Sequence, residues 1–167
     1  MANNLIITEY AADNREACAE LFTRVYTAPP FEFDWLDHDM SSRYFADLEN
    51  TPNSLSYVLS DDGAIIGVCL GQKELCFQNP GYKINEFFIE PARQHMGLGS
   101  YFINELELIL RTHGLNVMHL FTQRRMNSFI FYRKNDFIPN DETVHMARPI
   151  RQGDAVVYAR AFLNPHN

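Results

Sequence analysis

Two glycines spaced by one residue, Gly97 and Gly99, stand in the stretch Ile89-Glu90-Pro91-Ala92-Arg93-Gln94-His95-Met96-Gly97-Leu98-Gly99-Ser100. They let a backbone turn with its amides converging, and the start of an adjoining helix adds partial positive charge. Such a loop can cradle a diphosphate. A P-loop would place lysine after the last glycine, where Ser100 stands. A dinucleotide fingerprint would need a third glycine at Phe102 and an acid near His119. Taken in isolation, the glycines could equally form a tight strand-to-helix connection with no ligand. Metal chemistry has little support. The histidines at 38, 95, 113, 119, 145 and 166 contain no H-x-H or H-x-x-x-H pair, and Cys18, Cys69 and Cys76 form no C-x-x-C pair. No metal and no disulfide framework are expected.

The elements around the loop follow from periodicity and punctuation. Leu5 to Thr8 reads as a strand. Asp13 with Glu16 forms a capping-box pattern opening a helix through Val25, which Ala28-Pro29-Pro30 stops. A second helix from Asp39 to Leu48 carries Met40, Tyr44 and Phe45 near one face. Leu55 to Leu59, the turn Asp61-Asp62-Gly63 and Ala64 to Leu70 form a hairpin, and Asn79-Pro80-Gly81 is the loop that ends it. Lys83 to Ile89 is the strand entering the glycine loop, and Gly97 to His113 the helix leaving it, with Leu98, Phe102, Leu106, Ile109 and Leu110 at helical spacing and Gly114 as its cap. Val117 to Thr122, the helix Asn127 to Asn135, and strands at Thr143 to Ala147 and Ala155 to Phe162 complete the pattern. The order β-α-α-β-β-β-α-β-α-β implies an α/β (α+β) chain with a mixed sheet and helices on both faces.

A length of 167 residues suits one domain spanning 1–167, and 46% hydrophobic content is enough for a sizeable core. A net charge of -7 repels nucleic acid and anionic membrane. No window approaches the roughly 20 apolar residues of a membrane helix, and the N-terminus lacks a signal-peptide pattern. A cytoplasmic protein is expected, and a homodimer is allowed.

With its flanks, the glycine loop resembles that of the GNAT superfamily of N-acetyltransferases, whose acetyl-CoA loop has the pattern Q/R-x-x-G-x-G/A. Gln94, Gly97 and Gly99 match it, as do Ile89 and Pro91 before it. A second block, Asn127 to Phe137, resembles N-x-x-x-x-Y-x-x-x-G-F through Asn127, Tyr132 and Phe137, with Asp136 where glycine is usual. Aspartate accepts left-handed backbone better than most residues. The resemblance covers about residues 55–147, while the first 50 match in outline. It implies one GNAT-like domain with a mostly antiparallel sheet and a splayed parallel central pair, Lys83 to Ile89 and Val117 to Thr122. It also implies acetyl-CoA as donor, held by Gln94, His95, Met96, Gly97, Leu98, Gly99 and Ser100 at the pyrophosphate. The backbone of Phe87, Phe88 and Ile89, with Asn127 and Phe131, would meet the pantetheine arm. Arg93, His95 and Lys134 either meet phosphates or are simply solvated.

The reaction sets further demands. An alkylammonium with a pKa near ~10.4 must lose a proton before it attacks a thioester. Glu86 is the first candidate base, placed by the two-residue period on the face of Ile84, Phe88 and Glu90, and Glu90 is the second. A solvent-facing Glu86 is the competing reading. Tyr132 resembles the family's general acid, a phenol able to protonate the departing thiolate, or else it is a core tyrosine in the run Phe129 to Tyr132. Asn127 either bonds the cofactor arm or caps its helix.

The acceptor is a small amine on the leading reading. Phe31-Glu32-Phe33-Asp34-Trp35-Leu36-Asp37-His38-Asp39 offers acids and aromatic faces suited to a cation, or else caps the second helix and plugs the core. That segment is similar to bacterial aminoglycoside-type acetyltransferases. A protein or peptide acetyltransferase and a non-catalytic acyl-CoA-binding module are the two other readings.

Overall fold

The computed structural model describes residues 4–34, 36–76 and 78–146. Two compact units divide the chain, Met1–Asn135 and Asp136–Asn167. The first holds five strands in the order β1-β2-β3-β4-β5. These are β1 (Leu5–Glu9), β2 (Tyr57–Asp61), β3 (Ala64–Cys76), β4 (Asn79–Ile89) and β5 (Val117–His119). The helices are α1 (Arg15–Thr27), α2 (His38–Glu49), α3 (Leu98–Thr112) and α4 (Asn127–Lys134). β1 to β4 pair antiparallel in succession, and β4 pairs parallel with β5. This is the expected mixed, mostly antiparallel sheet of an α/β chain.

Alternation along the strands gives the sheet two apolar faces. One face packs on α1 and α2 through Cys18, Leu21, Phe22, Val25, Phe45, Val58, Val68, Leu70 and Phe88. Phe22 is its hub, with ring centroids 5.6 Å from Phe45 and 5.5 Å from Phe88, both edge-on. The amphipathic α3 buries Leu98, Phe102, Ile103, Leu106 and Leu110, and Phe102 meets Phe87 of β4 at 5.4 Å. Glu49 at the end of α2 accepts from Tyr10 and Arg15, which ties the first strand and the start of α1 to α2.

Several boundaries move for identifiable reasons. The Asp13 and Glu16 capping box does not form. A short 3-10 turn at Ala12–Asn14 precedes α1, and the Asn14 side chain accepts from the Ala11 N–H at 2.9 Å. α2 starts at His38 because Asp37, not Asp39, caps it, accepting from the Met40 N–H at 2.7 Å. Asn79-Pro80-Gly81 is not a loop but the start of β4, since β3 runs on to Cys76. Gly81 serves close approach there: a Cβ would lie 2.8 Å from Cys76 Cβ and 3.2 Å from Val117 Cγ1. β5 stops at His119 rather than Thr122, because β4 pairs with it only at Gly81, Tyr82 and Lys83. Asp62 and Gly63 take φ of 49° and 83° and close the expected hairpin.

A register shift between Leu70 and Gly71 of β3 leaves Asn85 of β4 without a partner, with Ile84 opposite Gly71 and Glu86 opposite Leu70. This bulge breaks the alternation, so Ile84 does not share the face of Glu86 and Phe88 as the two-residue period implied. In the second unit the described residues 136–146 contain neither helix nor strand, so the expected strand from Thr143 is absent up to Met146. Ala147, the expected strand Ala155 to Phe162, and Trp35 lie outside the described residues.

Gly71 sits in the bulge with no room for a side chain: a Cβ would fall 2.4 Å from the Tyr82 ring and 2.6 Å from the Lys83 carbonyl oxygen. Tyr82 is fully buried and its hydroxyl donates to the Leu55 carbonyl at 2.7 Å, so it has nowhere to move. Gly71→Ala is expected to lower unfolding free energy by about 1 to 3 kcal/mol in urea denaturation. An unchanged midpoint would show that the bulge relaxes freely.

Candidate active site

β4 ends in a loop that combines a short 3-10 turn, Pro91–Arg93, with two left-handed residues, His95 at φ 61° and Gly97 at φ 81°. Gly97 occupies the N-cap of α3, and the α3 N-terminus lies directly behind the loop. Gln94, His95, Met96 and Gly97 are exposed, whereas Leu98 is buried and anchors the first turn of the helix. The Gln94 side chain donates to the Ile89 carbonyl at 3.0 Å, which tethers the loop to the strand end. Gly99 has a steric role as well: a Cβ would lie 3.0 Å from the Phe131 ring. Arg93 does not point freely at the loop, because it pairs at 2.8 Å with the buried Asp61. His95 and Lys134 are both exposed.

Past Lys83 no strand among the described residues pairs with the outer edge of β4, from Ile84 to Ile89. Phe88 and Ile89 bury their side chains, so backbone is what they can offer there. Phe87 turns to the opposite face from Glu86 and stacks on Phe131 at 5.8 Å and 17°. Tyr132 lies against both rings, 6.5 Å from Phe87 and 5.2 Å from Phe131. Burial pushes its phenol above the ordinary range, with Cys69 and the charge of Glu86 adding to the push. The hydroxyl stays protonated at neutral pH. Asn127 is exposed and is not the cap of α4. Met126 holds that position, without a side-chain bond.

Glu86 is not a solvated strand residue. Tyr26 of α1 donates to its Oε2 and Tyr44 of α2 to its Oε1, each at 2.7 Å. Burial raises its pKa, and the bonds from Tyr44 and Tyr26 hold it down in part. An ionised carboxylate offers about four lone-pair positions, so two phenols leave room for a water or an ammonium group. Glu90, the second candidate base, is already engaged by Arg24 at 2.7 Å. Phe31 and Phe33 pack around Tyr26 at 4.7 and 5.9 Å rather than lying open.

The match to a family model decides what this arrangement belongs to. The acetyltransferase (GNAT) family model matches residues 16–137, which include α1, α2, the glycine loop and the Tyr132 block. The chain belongs to the GNAT acetyltransferase family. It is therefore an acyltransferase of the acetyl-CoA-dependent type. A search of curated proteins gave no significant match. Solved structures share the GNAT fold at low identity. A possible acetyltransferase from Clostridium difficile 630 superposes with a TM-score of 0.73 at 14% identity, covering 88% of this chain and 99% of that one. An aminoglycoside acetyltransferase from an uncultured soil metagenomic sample, in complex with sisomicin, gives 0.68 at 17% identity over 88% and 97%. The aminoglycoside N-acetyltransferase AAC(6')-Iy in complex with CoA gives 0.69 at 14% over 89% and 97%.

Within the GNAT frame, the structure gathers Glu86, Phe87, Phe131 and Tyr132 around the open edge of β4 and sets the loop Gln94 to Ser100 at its end. Sequence reasoning missed Tyr26 and Tyr44 as partners of Glu86. The one available signal was a tyrosine on each of the first two helices, which cannot name its acceptor. Glu16, Glu20 and His38 are the described residues whose potential metal donors converge, within 4.8 Å of one another. Glu20 and His38 also border a depression of about 240 Å³ lined by Thr23, Arg24 and Thr27 of α1. No described helix is long and apolar enough to cross a membrane.

The Arg93–Asp61 pair ties the loop to β2, with Asp61 only 7% exposed. Arg93→Ala is expected to cost about 1 to 3 kcal/mol by leaving that carboxylate without its partner. The double variant Arg93→Ala, Asp61→Asn should recover part of the loss in thermal unfolding. Additive losses would mean that the pair contributes nothing by pairing.

Proposed function

We propose that this chain transfers an acetyl group from acetyl-CoA to a primary amine of a small molecule, by direct attack within a ternary complex. The observation that carries the reading is the carboxylate of Glu86, held at 2.7 Å by two phenols on the strand that runs into the glycine loop. A proton acceptor so placed serves catalysis, whereas a module that only bound acyl-CoA would have no use for it.

In this reading the amides of Gln94 to Ser100 and the N-terminus of α3 receive the pyrophosphate, with Gly97 and Gly99 giving close backbone approach. His95 and Lys134 meet the outer phosphates. The open edge of Phe87 to Ile89 pairs with the pantetheine amides, Asn127 bonds the same arm, and the Phe131 ring lines its path. One lone pair of the Ile89 carbonyl is already taken by Gln94. Glu86 accepts a proton from the ammonium, directly or through water. The freed nitrogen lone pair forms the C–N bond at the thioester carbonyl, the C–S bond breaks as the intermediate collapses, and Tyr132 donates its proton to the leaving sulfur. The second proton that the nitrogen sheds on becoming an amide restores the phenol of Tyr132 through solvent.

A cationic acceptor is favoured by the acidic balance of the chain and by the carboxylate of Glu86 set beside the aromatic rings that pack on Tyr26. The likeness to the sisomicin-bound enzyme in fold supports polyamine-like or aminoglycoside-like candidates in the first screen. Acetyl-CoA thiol release should be measured across polyamines, aminoglycosides, amino acids and amine-terminated peptides. Turnover with small amines and none with peptides is the expected result. Turnover restricted to peptides would transfer the site to a protein acetyltransferase, and no turnover at all would leave an acyl-CoA-binding module.

Two variants test the roles. Tyr132→Phe should lower kcat by roughly 100-fold with little change in the KM for acetyl-CoA. For the base, Glu86 works ionised and its pKa is raised by burial. Activity is therefore lost as pH falls through a value above the usual ~4.3 of a glutamate. The kcat/KM profile should show that acid limb in the wild type, and Glu86→Gln should abolish it together with most of the rate.

A further inference from the structure

We propose that Tyr26 and Tyr44 are positioning residues for acetyl transfer, which together fix the orientation of the Glu86 carboxylate and keep it ionised. The proposal rests on the reading of Glu86 as the base and extends it to two residues from the first two helices.

The geometry is specific. Each phenol takes a different carboxylate oxygen at 2.7 Å, so the carboxylate is held at both ends and cannot rotate about its last bond without breaking a contact. The phenols come from separate helices, α1 and α2, while Glu86 belongs to β4. Both rings are themselves locked. Tyr26 packs on Phe22 at 4.4 Å, Phe31 at 4.7 Å and Phe33 at 5.9 Å. Tyr44 packs on Phe22 at 5.6 Å and Phe45 at 6.4 Å. A hydroxyl needed only for solubility would not require two converging helices to aim it.

The chemistry explains why phenols serve here. A buried carboxylate without donors takes up a proton and ceases to be a base. A cationic partner would hold it ionised but would occupy it and repel an ammonium acceptor. Among the described residues no lysine or arginine pairs with Glu86, and the nearby Arg24 is committed to Glu90. Neutral O–H donors stabilise the anion without adding positive charge. Burial, together with the anion itself, pushes both phenols upward, so they remain donors across the working range. Tyr132 on α4 is the third phenol whose titration feels Glu86. Among the described residues, Tyr26, Tyr44, the Arg24–Glu90 pair and the Cys69 thiol of β3, which also acts on Tyr132, are the other titratable and charged groups around the site. The strength of the base is thus set by α1 and α2.

The test uses the full chain as Tyr26→Phe, Tyr44→Phe and the double variant, each keeping its ring. The Glu86 carboxyl is followed by 13C NMR in glutamate-labelled protein, its signal assigned by loss in Glu86→Gln, alongside the pH profile of kcat/KM with whichever amine turns over. The Glu86 midpoint should move to higher pH in each single variant and further in the double. The acid limb should follow it. Near neutral pH each single variant should lose roughly 10-fold in kcat/KM, with the KM for acetyl-CoA unchanged. Unmoved midpoints in variants that melt like the wild type would overturn the proposal. A loss of rate with no movement of either midpoint or limb would do the same, because that is the signature of a packing defect. Should Tyr26→Phe fail to fold, Tyr44→Phe decides alone, since that ring is 36% exposed and little of the core depends on its hydroxyl. If no amine turns over yet the NMR midpoint moves, the acetyl-transfer reading fails while the hold on Glu86 stands.

Discussion

Among the described residues the site depends on β4 being paired from end to end on one side, with one bulge at Asn85, and for only three residues on the other. β3 accompanies it from Asn79 to Ile89, whereas β5 leaves it after Lys83. A strand in the middle of a sheet normally spends its backbone groups on both neighbours. Here, among the described residues, six have no strand partner on that side. The bulge at Asn85 sits where the two strands part, and it re-aims the side chains beyond it. Glu86 goes to the α1 and α2 face, Phe87 to the α3 and α4 face. In the proposed reaction, proton acceptance and cofactor contact therefore fall to neighbouring residues of one strand, on opposite faces, without competing for space.

The two faces are built differently to match. On the α3 side the contacts are apolar and close, with Gly99 lacking a side chain where Phe131 comes within 3.0 Å of the position a Cβ would take. On the α1 and α2 side the aromatic cluster around Phe22 packs about the two phenols that hold the Glu86 carboxylate. Placing a carboxylate beside such a cluster is costly unless its oxygens are bonded, and the phenols of Tyr26 and Tyr44 answer that cost with neutral donors. The raised pKa of Glu86 is the net result of two opposing effects, burial against hydrogen bonding.

Left-handed backbone marks the punctuation of the fold. His95 and Gly97 turn the chain out of β4 into α3, Gly114 follows the end of α3, and Asp136 follows α4 with φ 63°. The aspartate at that last position departs from the family pattern in residue type and adopts left-handed backbone, which aspartate accepts better than most residues. Gly81 and Gly71 are glycines of a second kind. They sit in strands where neighbouring atoms leave no volume for a methyl group, so the turn reading of Asn79-Pro80-Gly81 mistook a packing requirement for a conformational one.

What the sequence determined by itself was local and periodic: the alternation of elements, the amphipathic α3, the hairpin at Asp62-Gly63, and the Gln94, Gly97, Gly99 spacing that, with Asn127 and Tyr132, pointed to the GNAT family. These are legible because each depends on residues within a few positions of one another. Only the tertiary structure decided that Glu86 meets Tyr26 and Tyr44, sixty and forty-two positions away. The same holds for the engagement of Glu90 by Arg24 and of Arg93 by Asp61, which gives the second candidate base and one candidate phosphate contact ion-pair partners of their own. The bulge at Asn85 could not be read either, because an extra residue in one strand is defined by the register of another. Hydrogen-bond partners across a sheet and its helices are chosen by how the layers pack, and no single-chain spacing encodes that choice.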